Sequence, residues 1–379
     1  MLTLPPLSLY IHIPWCVQKC PYCDFNSHGQ HGQLPQQEYV DALLADLDAD
    51  LGYVQGRALR SIFIGGGTPS LFSAEQIGRL LAGVEARVPF DCGIEVTMEA
   101  NPGTLEHDDL KAYRAAGITR LSMGVQSFDG DKLKALGRIH GKDEAIAAAQ
   151  SATAAGFNSF NLDLMHGLPN QSLTQALADI RQAGELMPPH LSWYQLTIEP
   201  NTLFYSKPPT LPDDEALWQI YQQGNQLLSQ LGYVQYEISA YAKPGYQCQH
   251  NLNYWQFGDY IGIGCGSHGK ITVPAEDRIF RTVKIKHPKG YLAALDVRYE
   301  VTDVAPEDRP LEYLMNRLRL LSPMPKLEFE QRTGLSSDLL INGMTKGAER
   351  GLVTDLGDAW QLTERGQMFV NDLLSQFCD

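Results

Sequence analysis

Three cysteines lie close together near the start of the chain and could bind a metal. Cys16, Cys20 and Cys23 are spaced Cys-x3-Cys-x2-Cys, directly after an apolar segment that ends in Pro14 and Trp15. Thiolates are the protein ligands of iron–sulfur clusters, and one short loop can deliver three of them to one cube. Because no fourth thiol lies nearby, one iron would stay open and could chelate the amino and carboxylate groups of S-adenosylmethionine. The spacing therefore predicts a [4Fe–4S] cluster that carries S-adenosylmethionine.

A structural zinc site is the alternative for the same cysteines. Zinc needs a fourth ligand, which His12 or His28 could supply. The spacing of x3 and then x2 is unusual for zinc, and this favours the iron–sulfur interpretation. The other cysteines of the chain are scattered, and an odd total of seven does not suggest a disulfide framework.

A run of glycines follows the next apolar segment. Gly65, Gly66 and Gly67 lack side chains, so their backbone can approach a ligand closely, and Thr68 adds a hydroxyl group. Three consecutive glycines exceed what a simple turn between a strand and a helix needs. Beside the cysteine loop, they indicate the binding site for S-adenosylmethionine.

The sequence resembles the radical S-adenosylmethionine superfamily. Within it, the closest resemblance is to the branch that contains oxygen-independent coproporphyrinogen III oxidase and the HemW-type heme chaperones. The segments that carry the resemblance are residues 10–26 (YIHIPWCVQKCPYCDFN), 64–71 (IGGGTPSL), 162–169 (LDLMHGLP) and 250–255 (HNLNYW). The resemblance implies that Cys16, Cys20 and Cys23 hold a [4Fe–4S] cluster. It also places contacts to S-adenosylmethionine at Tyr10, Gly66, Gly67, Thr68, Glu99, Gln126, Arg138 and Asp163, with Thr197 as a weaker candidate.

The chain departs from the oxidase at the cysteine loop. The oxidase has a fourth cysteine two residues beyond the third, where this chain has Phe25. An aromatic ring cannot replace a thiol as a ligand or redox group. We therefore expect a heme chaperone that passes heme to an acceptor apo-hemoprotein, with a respiratory enzyme implied by the family. Oxygen-independent coproporphyrinogen III oxidase is the alternative function, and whether S-adenosylmethionine is cleaved stays open.

The segment His250-Asn251-x-x-Tyr254-Trp255 is the second departure. Imidazole is an axial ligand of heme iron, and aromatic rings pack on the macrocycle. By itself, a lone histidine is more often a buried, hydrogen-bonded core residue. The resemblance instead favours a heme-binding role for this histidine, because HemW-type proteins carry HNxxYW and bind heme. Cys248 and Cys265 are weaker ligand candidates, and His268 could line the same pocket or help to close the S-adenosylmethionine site.

Alternating apolar strands and amphipathic helices must position these residues. Strands are predicted at residues 7–13, 61–64, 94–98, 120–125, 159–164 and 191–197, with helices near 36–55, 73–87, 105–116, 142–155 and 172–187. Such alternation implies a parallel sheet, and unusual polar residues follow every strand. The predicted fold class is α/β, an open or partial (β/α)6 radical-SAM barrel with a smaller C-terminal α+β, winged-helix-like domain.

Three parts of the chain are predicted. Residues 1–235 form the partial barrel, 236–300 an extension with the HNxxYW segment, and 301–379 the winged-helix-like domain. The last part has helices at 311–320, 336–350 and 363–377 and a hairpin at 352–362, while residues 213–231 are helical and 233–241 form a strand. These bounds follow from apolar spacing and turn residues.

Charge and hydropathy limit the partners. The net charge is −14 without a dense basic run, which disfavours nucleic acid and hence a radical enzyme that acts on tRNA. No apolar run is long enough for a transmembrane helix, and the N-terminus does not resemble a signal peptide. We expect a cytoplasmic protein that meets the membrane, if at all, transiently through its acceptor. The oligomeric state, a homodimer included, stays open.

Overall fold

The computed structural model describes residues 1–30, 32–104 and 110–378. Within these residues, twelve strands form one mixed sheet. In chain order they are β1 (Leu7–Ile13), β2 (Leu59–Gly66), β3 (Phe90–Ala100), β4 (Arg120–Gln126), β5 (Ser159–His166), β6 (His190–Gln195), β7 (Val234–Glu237), β8 (Ala240–Ala242), β9 (Asp259–Ile263), β10 (His268–Val273), β11 (Arg278–Lys284) and β12 (Arg298–Asp303). Their order across the sheet is β12-β11-β10-β9-β1-β2-β3-β4-β5-β6-β8-β7.

The centre of the sheet is parallel. Strands β9, β1, β2, β3, β4, β5 and β6 pair in parallel in that order. Strands such as β1 are apolar and buried almost throughout, as expected for a parallel sheet that is covered on both faces. The edge strands β12 and β7 do not pair with each other among the described residues, so the sheet stays open. This confirms the predicted open α/β fold class.

The helices come between the parallel strands and after them. They are α1 (Gln36–Asp50), α2 (Ala74–Glu85), α3 (Leu110–Ala115), α4 (Gly130–Ala135), α5 (Lys142–Ala154), α6 (Leu173–Glu185), α7 (Leu203–Ser206), α8 (Asp214–Gln230), α9 (Gln249–Trp255), α10 (Pro288–Ala293), α11 (Arg309–Arg317), α12 (Lys326–Thr333), α13 (Asp338–Glu349), α14 (Glu364–Met368) and α15 (Val370–Leu374). Residues 105–109 of the predicted helix 105–116 lie outside the described residues. None of the described helices is long and apolar enough to cross a membrane.

The segment after β6 differs from its prediction. The single strand predicted at 233–241 is a hairpin of β7 and β8, and β8 pairs antiparallel with β6. The later strand β9 was not predicted, because glycine and aromatic residues hide its apolar run. It lies beside β1, and β10, β11 and β12 extend the sheet antiparallel from it. Residues 236–300 therefore belong to the same sheet, with β8 near one edge and β9 to β12 at the other, and the predicted three-part division of the chain stays a prediction.

The C-terminal segment has its own small core. A two-residue strand, Met324–Pro325, pairs with β14 (Ala359–Leu362), which pairs in turn with β13 (Val353–Asp355). Helices α11, α12 and α13 precede this hairpin, and Tyr313, Phe329 and Leu340 are fully buried in the core. Helix α12 was not predicted, and the predicted final helix is broken at Phe369 between α14 and α15. Helices followed by a hairpin and further helices confirm the winged-helix-like order.

Candidate functional site

The cysteine loop follows β1 and is closed at its base. The two-residue strands Trp15–Cys16 and His28–Gly29 pair in parallel. The backbone N–H of His28 donates to Pro14 O at 2.7 Å, and that of Gln30 donates to Cys16 O at 2.8 Å. Inside the loop, Lys19 Nζ donates to Phe25 O at 3.1 Å. These hydrogen bonds therefore fix the loop, which holds its three cysteines half-buried at the carboxyl end of β1.

The chemistry of the cysteine loop suits a cluster better than a single ion. Among the described residues, no group of three His, Cys, Asp or Glu side chains converges closely enough to hold one metal ion. A structural zinc ion needs such convergence, since all its ligands bind one atom, whereas a cubane offers each thiolate a separate iron. Burial raises the pKa of the Cys16 and Cys23 thiols. A bound iron would offset that cost, because a coordinating thiol is deprotonated by the metal.

The glycine loop continues β2 and packs directly against the cysteine loop. The backbone N–H of Gly67 donates to Ile13 O, and that of Thr68 donates to Trp15 O, both at 2.7 Å. Gly66 has a φ of +117°, and a Cβ there would lie 2.6 Å from the His12 ring. A Cβ on Gly67 would lie 2.4 Å from Trp15 O. Gly67 is therefore required by the close approach of two backbones, and Gly66 by its positive φ and the His12 ring packed against it. These contacts hold the cysteine loop beside the glycine loop.

The replacement Gly67→Ala is expected to separate these two loops. The new Cβ would meet backbone atoms of the cysteine loop, which cannot move aside as a side chain tip could. Such overpacking costs about 1–3 kcal/mol, and thermal unfolding should report a lower midpoint. Gly130→Ala is the matched control, because a Cβ at Gly130 in α4 would meet no atom within 4 Å. An unchanged midpoint for Gly67→Ala would contradict the inferred contact.

A small cavity of about 300 Å³ lies where the two loops meet the carboxyl ends of the parallel strands. It brings together most residues that the sequence assigned to the cluster and S-adenosylmethionine. Its lining includes Cys20, Cys23, Gly66, Gly67, Thr68, Glu99, Gln126, Arg138 and Asp163. Cys16 and Tyr10 do not line it, and Thr197 lies exposed beyond the end of β6.

The charged groups in this small cavity have unusual environments. Gly66 N–H donates to Glu99 Oε2 at 3.0 Å, yet burial, together with the nearby Asp163, raises the pKa of Glu99 to about 8. Burial also raises the pKa of Asp163, which accepts hydrogen bonds from Asn161 and Ser122. Two buried carboxyl groups in one cavity are a favourable environment for a cationic ligand.

Arg138 connects the cysteine loop to the strand ends. Its Nη1 lies 3.6 Å from Cys20 Sγ, and its Nη2 donates to Gly124 O at 2.7 Å. Its Nε is buried and has no hydrogen-bond partner among the described residues. An arginine in this position can recognise a carboxylate next to a thiolate-bound metal. The residues present therefore fit both an iron–sulfur cluster and an amino-acid ligand.

Sequence reasoning missed two groups of the small cavity. Tyr194 donates from its hydroxyl to Gln126 Oε1 at 2.9 Å and holds that amide in place. Gln126 itself has a φ of +68°, which is a strained conformation for a residue with a side chain. Ser122 lies on β4 and donates to Asp163. The position of Tyr194 near the end of the last parallel strand was the available signal, but its side chain looked like ordinary core packing.

A larger cavity of about 890 Å³ opens beside the small one. Phe25, Gly66 and Glu99 line both. Other residues of its wall are Tyr10, His12, Lys19, Asp24, Asn26, Ser27, His28, Glu199, Pro200, Asn201, Tyr254, Tyr260, Gly266, Ser267, His268 and Lys286. Tyr10 thus faces the larger cavity, where its hydroxyl lies 2.9 Å from His12 Nδ1. The segment around His268 closes this cavity rather than the smaller one.

The residues of the HNxxYW segment, on α9, point in different directions. Tyr254 lines the larger cavity and contacts Tyr260, with ring centroids 4.2 Å apart. Trp255 points away, toward the C-terminal segment, where Arg319 lies over its ring at 4.3 Å. His250 is 1% exposed, and its Nδ1 lies 3.0 Å from Ser61 Oγ. Asn251 is half-buried and does not line the cavity.

The other candidate thiols are core residues. Cys248 donates to Glu95 Oε1 at 3.5 Å, and Cys265 donates to Lys286 O at 2.9 Å. Burial raises the pKa of each to about 12. Neither lines the larger cavity. Both therefore match the structural role that is usual for a buried cysteine.

A three-cysteine loop against a glycine loop at the carboxyl ends of an open parallel sheet defines a radical S-adenosylmethionine protein. The Radical SAM superfamily model matches residues 10–182, and the HemN C-terminal domain matches residues 304–369. The fold resembles that of coproporphyrinogen III oxidase HemN from Escherichia coli, with a TM-score of 0.83, 24% identity and coverage of 99% of this chain and 90% of that one. This structural likeness establishes the fold alone.

Sequence relatives identify the family more closely. The chain is 60% identical to heme chaperone HemW of Escherichia coli (strain K12), over 100% of this chain and 99% of the relative. It is 58% identical to heme chaperone HemW of Haemophilus influenzae, over 99% of this chain and 98% of the relative. The chain therefore belongs to the HemW family of radical S-adenosylmethionine proteins.

Proposed function

We propose that this protein is a heme chaperone, which binds heme in the larger cavity and passes it to an acceptor apo-hemoprotein. The family to which the chain belongs carries the proposal. The structure adds a cavity whose volume lies in the range of small-molecule and cofactor sites, walled by aromatic and histidine side chains. The proposal includes a respiratory enzyme as the acceptor.

The resident cofactors are those of the superfamily, a [4Fe–4S] cluster and S-adenosylmethionine. We assign the cluster to Cys16, Cys20 and Cys23. The ligand's charged groups would be held by Arg138, Glu99 and Asp163, while the glycine loop offers backbone N–H groups. When bound and reduced, this pair of cofactors supplies one-electron chemistry at the sulfonium. The chain's own contribution is to fix the cysteine loop and to hold the carboxyl groups of Glu99 and Asp163 in the small cavity.

The oxidase alternative has less support from this chain. Phe25 occupies the position where the oxidase carries its additional cysteine, and its ring is 62% exposed between the two cavities. An exposed apolar ring facing a cavity is suited to contact a flat apolar ligand. It offers no thiol for electron or proton transfer. This favours binding and transfer of a macrocycle over its decarboxylation.

Binding of S-adenosylmethionine should strengthen as the pH rises from 7 to 8.5. Glu99 has a pKa raised to about 8, so its carboxyl is mostly protonated at pH 7. A cationic ligand prefers the carboxylate, so binding displaces this proton and affinity rises until the pH passes the pKa. The expected gain from Glu99 alone is roughly tenfold, measured by anaerobic calorimetry on the cluster-loaded protein. Glu99→Gln should lose this part of the gain and keep only the dependence of the ligand's own amine, and an identical profile would contradict this role.

Anaerobic reconstitution followed by heme titration tests the function. The cluster-loaded chain should bind one heme per monomer and then lose it to an apo-hemoprotein, as followed by the recovery of the acceptor's activity. Coproporphyrinogen III with a reductant and S-adenosylmethionine provides the second arm. Formation of vinyl product would favour the oxidase, and absence of heme binding would contradict the chaperone.

A further inference from the structure

The histidines of the larger cavity differ in what their imidazoles already bind. His12 is fully engaged, since its Nδ1 lies 2.9 Å from the Tyr10 hydroxyl and its Nε2 lies 2.8 Å from Asn26 O. His28 has its Nε2 3.3 Å from Lys286 O, and its ring contacts His287. Binding a metal through either nitrogen of His12 would break a hydrogen bond in a buried place.

His268 has the least engaged imidazole among the described histidines of this cavity, since His28 still has one nitrogen near Lys286 O. His268 is the first residue of β10, it is exposed, and its ring has no hydrogen-bond partner among the described residues. An imidazole whose nitrogens are free of other partners is a common metal ligand. The strand position of His268 fixes the backbone, because β10 pairs with β11 from His268 to Val273.

His250 has the opposite environment. It is buried in the core, with Ser61 at Nδ1 and its ring 5.2 Å from that of Phe63. Its Nε2 has no hydrogen-bond partner among the described residues. Yet His250 does not line the cavity, and its ring packs edge-on against Tyr254 at 5.0 Å. A heme iron could reach it only after Tyr254 or Phe63 moved.

The larger cavity also has lysine side chains that could pair with carboxylates on one edge of a ligand. Lys19 and Lys286 line it, are exposed, and have no carboxylate within 4 Å among the described residues. Asp24 and Glu199 also lie in the wall, so the cavity is not uniformly basic. A macrocycle with carboxylate substituents on one edge would place them near the lysines, where each pairing contributes modestly in water.

We propose that His268 is the axial ligand of heme in the larger cavity, and that His250 is a positioning residue that supports Tyr254 as the wall against the macrocycle. This inference deepens the proposed function and rests on it. It assigns the HNxxYW segment to shaping the pocket, and it assigns the iron contact to a histidine that follows the glycine-rich turn Gly264–Gly266.

Titration of the full, cluster-loaded chain with ferric heme tests the assignment. His268→Ala should weaken heme binding at least tenfold and remove the histidine-ligated Soret and electron paramagnetic resonance signals, and added imidazole should restore them. His268→Tyr should bind heme with a phenolate-type spectrum. His287→Ala is the matched control, because His287 is an exposed histidine close by that does not line the cavity. It should bind as the unmodified chain does.

The His250→Ala variant separates the two histidines. If His250 only positions Tyr254, this variant should bind more weakly but keep the histidine-ligated spectrum. Loss of that spectrum in His250→Ala, together with its persistence in His268→Ala, would overturn the assignment. Circular dichroism shows whether each variant is folded. Failure of the unmodified chain to bind heme would instead contradict the proposed function, so the two outcomes are distinguishable.

Discussion

Replacing Cys16, Cys20 and Cys23 together by serine is expected to abolish iron binding after anaerobic reconstitution. Serine keeps the size of the side chain but removes the thiolate that iron–sulfur clusters require. Iron and sulfide analysis should fall from about four of each per chain to near zero, and the broad visible absorption of the cluster should disappear. Binding of S-adenosylmethionine should fall with it, because its open iron is lost.

The fold should survive this triple replacement. The three cysteines are only half-buried, and the loop is closed by backbone hydrogen bonds from His28 and Gln30 that do not involve sulfur. Cys92→Ser is the matched control, since Cys92 is exposed on β3 away from the site. It should keep full iron content. Retention of a complete cluster in the triple variant would contradict the assignment.

The same triple variant distinguishes a structural cluster from a functional one. Phe25, Gly66 and Glu99 line both cavities, but the histidines and lysines line only the larger one. If heme binding persists while transfer to an acceptor fails, the cluster serves transfer. If the variant unfolds, the cluster is a structural support of the cysteine loop.

The parallel strands could be predicted because their sequence is locally consistent. Apolar runs such as residues 7–13 end in residues with special roles, and the structure begins and ends β1 at the predicted positions. The cysteine and glycine loops could also be predicted, because their chemistry depends on rare residues at a fixed spacing. Glu99 and Gln126 meet in one cavity because strand ends of a parallel sheet share an edge, and Arg138 reaches the same cavity from the turn after α4.

What could not be predicted depends on contacts between distant residues. Strand β9 lies beside β1 although more than two hundred residues separate them, and no periodicity indicates that pairing. The direction of each side chain on α9 was also hidden, and in the structure His250 faces Ser61 in the core. A short motif specifies residue types, but the packing of α9 against β2 decides which of them reaches the cavity.

The pairing of β9 with β1 depends on a buried charge network around Asp259. This residue is fully buried. Its carboxylate accepts from Arg57 Nη1 at 2.8 Å and from Lys270 Nζ at 3.0 Å. It also accepts from the backbone N–H of Thr272 at 2.9 Å and from its hydroxyl at 2.7 Å. One carboxylate therefore joins the start of β9 to β10 and to the segment before β2.

Asp259→Ala is expected to destabilise the protein by about 3–5 kcal/mol, because it leaves two cations without their counter-charge in a dry interior. Burial already lowers the pKa of Lys270, so its charge depends on this partner. Equilibrium unfolding in urea measures the loss. Asp303→Ala is the control, since Asp303 pairs with Arg278 on an exposed strand and such a pair contributes about 0–1 kcal/mol.

The double replacement Asp259→Ala with Lys270→Met should recover part of the stability, since it removes an orphaned charge and keeps the apolar stem beside Phe257. An Asp259→Ala variant as stable as the unmodified chain would contradict the network's role. The effect should also reach heme binding. Lys270 and His268 lie on the same strand, so loosening β10 displaces the imidazole. Heme affinity should therefore fall in Asp259→Ala under conditions where the chain is still folded, and return in the double variant.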